Sequence, residues 1–170
     1  MSSLDQYSAH AEQLGASLST EPLLMKVVRR MGATQSELFS YVSDANRLSE
    51  WIPGARKSWP DDSKADVPGQ RGSVRVISSG FGKPTRERIK AFEAPRALAY
   101  SASDSSLMGL MTEHLSVIGC EPHPDGGSVF SWLAYGRLPS NRLKAFIGTK
   151  VFQAVLQGGT KALERKFPLR

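Results

Sequence analysis

ATQSELFSYVSDANRLSEWIPGA, residues Ala33 to Ala55, is the stretch that decides how the rest of the chain is read. Thr34 stands three residues before Glu37, so its hydroxyl and the Glu37 carboxylate can each accept from the other's free backbone N–H, and a helix starts there. Leu38, Phe39 and Val42 give that helix an inner face. Asp44 is placed to cap a second short helix through Glu50, and Pro53-Gly54 ends it in a turn. The outcome is a helix–helix corner with Trp51 and Ile52 at its tip, and Trp59 eight residues beyond Trp51. Side chains so apolar need something other than water to face.

Upstream, Pro22 leads into LLMKVVRRM, where Leu23, Met25, Val27 and Met31 alternate with a second set, the pattern of a strand with the first set inward. Leu4, Tyr7, Ala11, Leu14 and Leu18 recur at intervals of three and four, which predicts a short amphipathic helix docked on the domain or on a second copy. The expected organisation is an N-terminal helical extension over residues 1–21 and a folded domain over 22–170.

Downstream, the turn formers come at hairpin intervals. PDDSKADVPGQRG is a loop, SVRVISS a strand, GFGKP a tight turn and TRERIKAFEA a longer strand; PRALAYSAS, LMTEHLSVIG and SVFSWLAYGRL follow as strands, the last two joined by a turn at EPHPDGG. Strands in series with short turns predict an antiparallel meander, not βαβ units. After Pro139, Ser140 can cap a last helix striped by Leu143, Ile147, Val151, Val155 and Leu163, with Phe146 and Phe152 alongside, until Pro168 stops it. Continuous from Asn141 to Phe167, that helix would be about 40 Å long. Gly158-Gly159 interrupts it and offers a place to bend.

Composition bounds the class. The 170 residues, 40% apolar and 22% charged, suit one domain with its own core. No apolar run reaches the ~20 residues of a membrane-spanning helix. The N-terminus lacks the basic-then-apolar pattern of a secretory signal, and the single cysteine, Cys120, cannot form an internal disulfide framework, so a cytoplasmic location is expected. The net charge of +6 is concentrated: residues 137–170 carry eight Lys or Arg against Glu164 alone. That basic element is either a solvated helix face, its last-turn cations Lys161, Arg165 and Lys166 offsetting the helix dipole, or a surface for phosphates, anionic lipid or ribosomal RNA.

The order strand, two short helices, six antiparallel strands and long terminal helix resembles the START-related superfamily of polyketide cyclases, dehydrases and lipid-transport proteins, whose fold the birch-pollen allergens share. The resemblance rests on ATQSELFSYVSDANRLSEWIPGA, RIKAFEAPRALAYSAS and DGGSVFSWLAYG, and covers roughly residues 22 to 167. It implies an α+β helix-grip: a curved antiparallel sheet of about seven strands wrapped around the C-terminal helix, with an elongated cavity between them. It also implies that the segment matching Leu48 to Pro53 lies at the cavity mouth, with Trp51 and Ile52 covering one end.

Strand parity predicts the lining. In TRERIKAFE, Arg86, Arg88 and Lys90 share the wet face, which leaves Glu87 and Ile89 inward. In MTEHLSVIG, Met111, Leu115 and Val117 share a face with Glu113, which makes Glu113 the expected inward carboxylate, with a raised pKa and acid–base competence; His114 is the lesser candidate. Tyr100, Trp132, Phe146 and Val151 complete the expected ligand-binding set. Cys120, His123 and Asp125 gather at one turn but are too few for a zinc site. GKPT lacks the earlier glycine of a phosphate loop, and there is no GxSxG elbow. No metal or cofactor is expected.

Three functions are therefore expected in order: binding of a hydrophobic or aromatic small molecule such as a lipid or polyketide; a cyclase or dehydratase using a pocket carboxylate; and an interaction surface on the basic helix for a ribosome or anionic membrane. A homodimer is compatible with all three.

Overall fold

A computed structural model describes residues 4–103 and 107–169. Its strands are β1 (Leu23–Met31), β2 (Lys57–Asp61), β3 (Val74–Ser78), β4 (Thr85–Glu93), β5 (Ala97–Ala102), β6 (Thr112–Pro122) and β7 (Ser128–Arg137), and its helices α1 (Ala9–Leu18), α2 (Gln35–Ser43), α3 (Leu48–Trp51) and α4 (Arg142–Lys166). All seven strands lie in one antiparallel sheet in the order β1-β7-β6-β5-β4-β3-β2. Strands β3 to β7 form the meander expected from the turn spacing, β2 extends it with Pro60 and Asp61, which were expected in a loop, and β1 closes against β7. The curved sheet, long C-terminal helix and two short helices after β1 make a helix-grip.

The corner after β1 forms as its sequence dictates. Thr34 Oγ1 accepts from the Glu37 N–H at 3.3 Å, and the Glu37 carboxylate accepts from the Thr34 N–H at 2.9 Å, so α2 opens on a complete capping box. Asp44 Oδ1 accepts from the Asn46 N–H at 2.9 Å and starts a 3-10 turn that runs into α3.

Strands β5, β6 and β7 of the sheet are buried on both faces. On the concave side Leu98, Tyr100, Ile118, Cys120, Phe130, Trp132 and Ala134 pack against α2, α3 and the second half of α4. On the opposite side Ala99, Leu115, Val117, Leu133 and Tyr135 lie beneath Ala11 and Leu14 of α1. The N-terminal helix therefore docks on its own sheet. Gly15 and Gly119 allow the approach: a Cβ on Gly15 would fall 2.4 Å from the Tyr135 ring, and one on Gly119 would meet Ser131 Oγ at 2.5 Å.

Helix α4 runs unbroken through Gly158-Gly159 for 25 residues, about 37 Å at 1.5 Å per residue. Its cap is Asn141, whose Oδ1 accepts from the Lys144 N–H at 3.0 Å, one residue later than the expected Ser140. The glycine pair serves contact, not bending. A Cβ on Gly159 would lie 2.9 Å from the Trp132 ring and 3.3 Å from that of Trp51, both locked in the core. Gly159→Ala should thus destabilise the fold by about 1 kcal/mol, as overpacking outweighs the gain in helix propensity, readable as a lower urea midpoint at unchanged slope. The apolar stripe read along α4 outruns the core: Leu163 and Leu156 are buried, but Leu143, Phe146, Ile147 and Val151 are exposed.

Candidate functional site

Around Phe130, Trp132, Trp51, Leu38 and Leu163 the interior is filled, with Trp51 edge-on to Trp132 at 5.3 Å and to Phe130 at 6.4 Å between ring centroids. Toward the first half of α4 a cavity of about 260 Å³ opens, bounded by Ile52 to Ala55 after α3, Ile77 and Lys83 of the β3–β4 hairpin, Thr85, Leu107 to Leu110 before β6, and Val151, Phe152 and Val155 of α4. That volume lies just below the roughly 300–1,000 Å³ of ordinary ligand pockets, so it suits a small aromatic or a short acyl segment and not a whole lipid. A wider groove of about 610 Å³ lies between α2 and the end of α4, lined by Glu37, Asp44, Arg47 and Lys166 among others. It holds none of the buried unpaired donors described next.

Two residues inward along the faces of Ile77 and Thr85 stand Arg75 and Glu87, cross-strand partners in the β3–β4 ladder. Arg75 Nη2 donates to Glu87 Oε2 at 2.6 Å, and the arginine side chain is only 2% exposed. The guanidinium carbon sits 3.8 Å above the centroid of the Tyr100 ring. Arg75 Nε and Nη1 are buried without a hydrogen-bond partner, as is Trp51 Nε1. Burial pushes the Glu87 carboxyl above the usual carboxylate range, and the neighbouring Arg75 draws it part of the way back.

A second branch runs through β5, β6 and β7. Trp132 Nε1 donates to the Tyr100 hydroxyl at 3.0 Å. Burial, with the Glu87 charge adding to it, raises the Tyr100 phenol to about 12 although Arg75 and hydrogen bonds with Ser116 and Trp132 oppose the shift, so it is a neutral hydroxyl at neutral pH. His114 Nδ1 accepts from the Ala102 N–H at 3.0 Å, which places the proton of the neutral ring on Nε2, 2.9 Å from Ser116 Oγ. Its ring stacks on Phe152, a cavity wall, at 6.2 Å. Burial first and the Arg75 charge second lower its pKa to about 4.

The structure brings Ile52 and Val151 to the cavity wall, Trp51 just behind it, and Glu87, Tyr100 and Trp132 into the polar cluster beneath. Ile89 is buried opposite Tyr100 in the β4–β5 ladder. Four placements are corrected. Glu113 is exposed with φ +51°, at an irregularity where the β6–β7 register slips between Thr112 and Leu115. An added residue there reverses the parity, so His114, Ser116, Ile118 and Cys120 face inward while Leu115 lies under α1. Phe146 points outward beneath Lys150, 5.7 Å from its ring. Trp59, on edge strand β2, is 40% exposed and away from the cavity.

Arg75 went unread. A signal was present: a hairpin centred on Phe81 pairs Arg75 with Glu87, and an inward glutamate needs a cation opposite it.

The sequence profile of the family described as "Polyketide cyclase / dehydrase and lipid transport" matches residues 24–168. No curated protein matches the chain in sequence. Among solved structures, XoxI from Bacillus cereus is similar at TM-score 0.66 and 20% identity, over 84% of this chain and 94% of its own. Ara h 8.0201 is similar at TM-score 0.64 and 16% identity, over 84% and 94%. The di-domain ARO/CYC StfQ from the steffimycin biosynthetic pathway is similar at TM-score 0.63 and 13% identity, over 93% of this chain and 53% of that longer one. At these identities the structural likenesses speak for the fold, whereas the profile spans nearly the whole sequence. The chain belongs to the polyketide cyclase/dehydrase and lipid transport family.

Proposed function

We propose that this chain binds a small amphipathic molecule, its aromatic or short aliphatic body in the apolar cavity and an oxygen-bearing end, carboxylate or carbonyl, at Arg75. The observation that carries the reading is the pair of buried, unpartnered N–H groups of Arg75 one step inward from the cavity wall. Each such donor costs about 1–3 kcal/mol while it lacks an acceptor, and a guest oxygen would remove that cost. Tyr100, held neutral, offers a hydroxyl beside it.

Binding is favoured over turnover by the state of the two acid–base candidates. Glu113 is in solvent on an exposed bulge, and both nitrogens of His114 are already engaged. A cyclase or dehydratase would depend here on templating by the cavity, with no proton carrier supplied by either residue.

Organic extraction of purified protein followed by mass spectrometry should recover a retained molecule with an acidic or carbonyl oxygen. A carboxylated aromatic probe at 100 times its Kd should stabilise the protein by about 2.7 kcal/mol in thermal unfolding, and the matched hydrocarbon by much less. Equal effects of the two probes, or none from either, would remove Arg75 from recognition.

A further inference from the structure

We infer that the end of the molecule around the cavity mouth is a docking face for an anionic lipid bilayer. Three separate segments push large apolar side chains into solvent there. Phe81, 76% exposed, is at the tip of the β3–β4 hairpin; Met108, 78% exposed, is in the turn before β6; Leu143, Phe146, Ile147 and Val151 occupy the first three turns of α4. The three segments meet at the cavity mouth. Lys83, Met108 and Val151 line the same cavity, and α4 presses on the turn so closely at Gly148 that a Cβ there would meet Leu110 O at 2.5 Å. A soluble protein rarely exposes so many contiguous apolar groups without something to cover them.

The charges around this patch select the occupant. Arg56, Lys83, Arg142, Lys144 and Lys150 surround it, and none makes an ion pair among the described residues. The segments 79–85, 107–112 and 137–163 contain no Asp or Glu. Two of the cations sit directly on the exposed rings: Arg56 lies 5.1 Å from the Phe81 centroid and Lys150 5.7 Å from that of Phe146. Rings that enter the acyl boundary while adjacent cations stay level with the headgroups are the arrangement of an interfacial surface. A second copy of the chain would bring the same cations against themselves. No helix among the described residues is long and apolar enough to cross a membrane. The docked pose would aim the cavity mouth at the lipid, but docking itself requires no guest in the cavity.

The test is cosedimentation of the full chain with vesicles of phosphatidylcholine alone or with about 30 mol% phosphatidylserine. The mixed vesicles should bind at least about tenfold more protein, and about 0.5 M NaCl should abolish the difference. Phe81→Glu/Phe146→Glu and Lys144→Glu/Lys150→Glu should each reduce binding about tenfold, with thermal unfolding unchanged as the control for folding. An Arg75→Met/Glu87→Met protein should bind vesicles like the parent, so a failed ligand reading would leave this result standing. Equal binding to both vesicles, binding to neither, or binding indifferent to the two phenylalanine changes would overturn the inference. So would a dimer that Phe146→Glu dissociates in the absence of vesicle binding, which would give the face to a second copy.

Discussion

Arg75→Met should lower the unfolding free energy by about 3–5 kcal/mol, the largest effect expected of any single change in the polar cluster. The cost comes from what remains: Glu87 would keep a buried carboxylate with no cation at 2.6 Å, and the Tyr100 ring would lose the guanidinium stacked 3.8 Å above it. Because burial already raises the Glu87 carboxyl, part of the loss should be recovered at acid pH, where Glu87 takes up a proton. Changing both partners separates stability from recognition. Arg75→Met/Glu87→Met removes both buried charges and both unpartnered donors, so it should regain most of the parent's stability in urea unfolding. It should nevertheless lose the stabilisation given by a carboxylated probe. A double variant as unstable as the single one would mean that the pair is a structural necessity of the sheet; a double variant that still distinguishes acid from hydrocarbon would place recognition elsewhere.

The frame of the molecule could be read from local chemistry because each piece stated its own geometry. Thr34 with Glu37, the turn at Pro53-Gly54, and the alternation of Arg86, Arg88 and Lys90 against Glu87 and Ile89 all act over a few residues, and the structure keeps each of them. The misplaced residues of β6 and α4 come from local patterns extended further than their geometry holds. In β6, parity counted from Met111 is correct until the bulge at Glu113, after which every assignment inverts and Leu115 exchanges faces with His114. In α4, the stripe from Leu143 to Leu163 steps by fours and so drifts about 40° around the helix at each step; it starts on the exposed side at Leu143 and Ile147 and reaches the buried side only at Leu163, while Gly148 and Phe152 are the residues of the first half that meet Leu110 and His114. Gly159 looked like a flaw in a helix because its purpose, room for Trp132 and Trp51, is held by residues far away in sequence. The candidate site suffered most, since it is made of cross-strand pairs: Arg75 with Glu87, Tyr100 with Trp132, His114 with the Ala102 backbone.

Between pH 7 and pH 4 the protein should lose about 3 kcal/mol of stability through His114 alone. Its pKa is lowered to about 4 in the folded chain from the ordinary imidazole value of 6.5, so between these values the unfolded state binds more protons, and stability present above pH 6.5 is withdrawn as the pH falls toward 4. Below that the slope from this residue ends. The physical obstacle to protonation is specific: a proton on Nδ1 would face the Ala102 N–H that now donates to it, and the new charge would lie near Arg75 in a site closed by Tyr100 and Phe152. Glu87 acts with the opposite sign, since a raised carboxyl favours the folded state as pH falls, and the parent's net profile is therefore shallower than His114 would give by itself. His114→Gln cannot titrate and should lack the acid-side loss, whatever its own stability at pH 7. Comparing the pH slopes of parent and variant in urea unfolding therefore isolates the histidine, and the imidazole proton resonance should titrate with a midpoint near 4. A midpoint near the ordinary imidazole value of 6.5, or parallel slopes for the two proteins, would show that the ring is open to solvent and that the cluster beneath the cavity is not sealed from water.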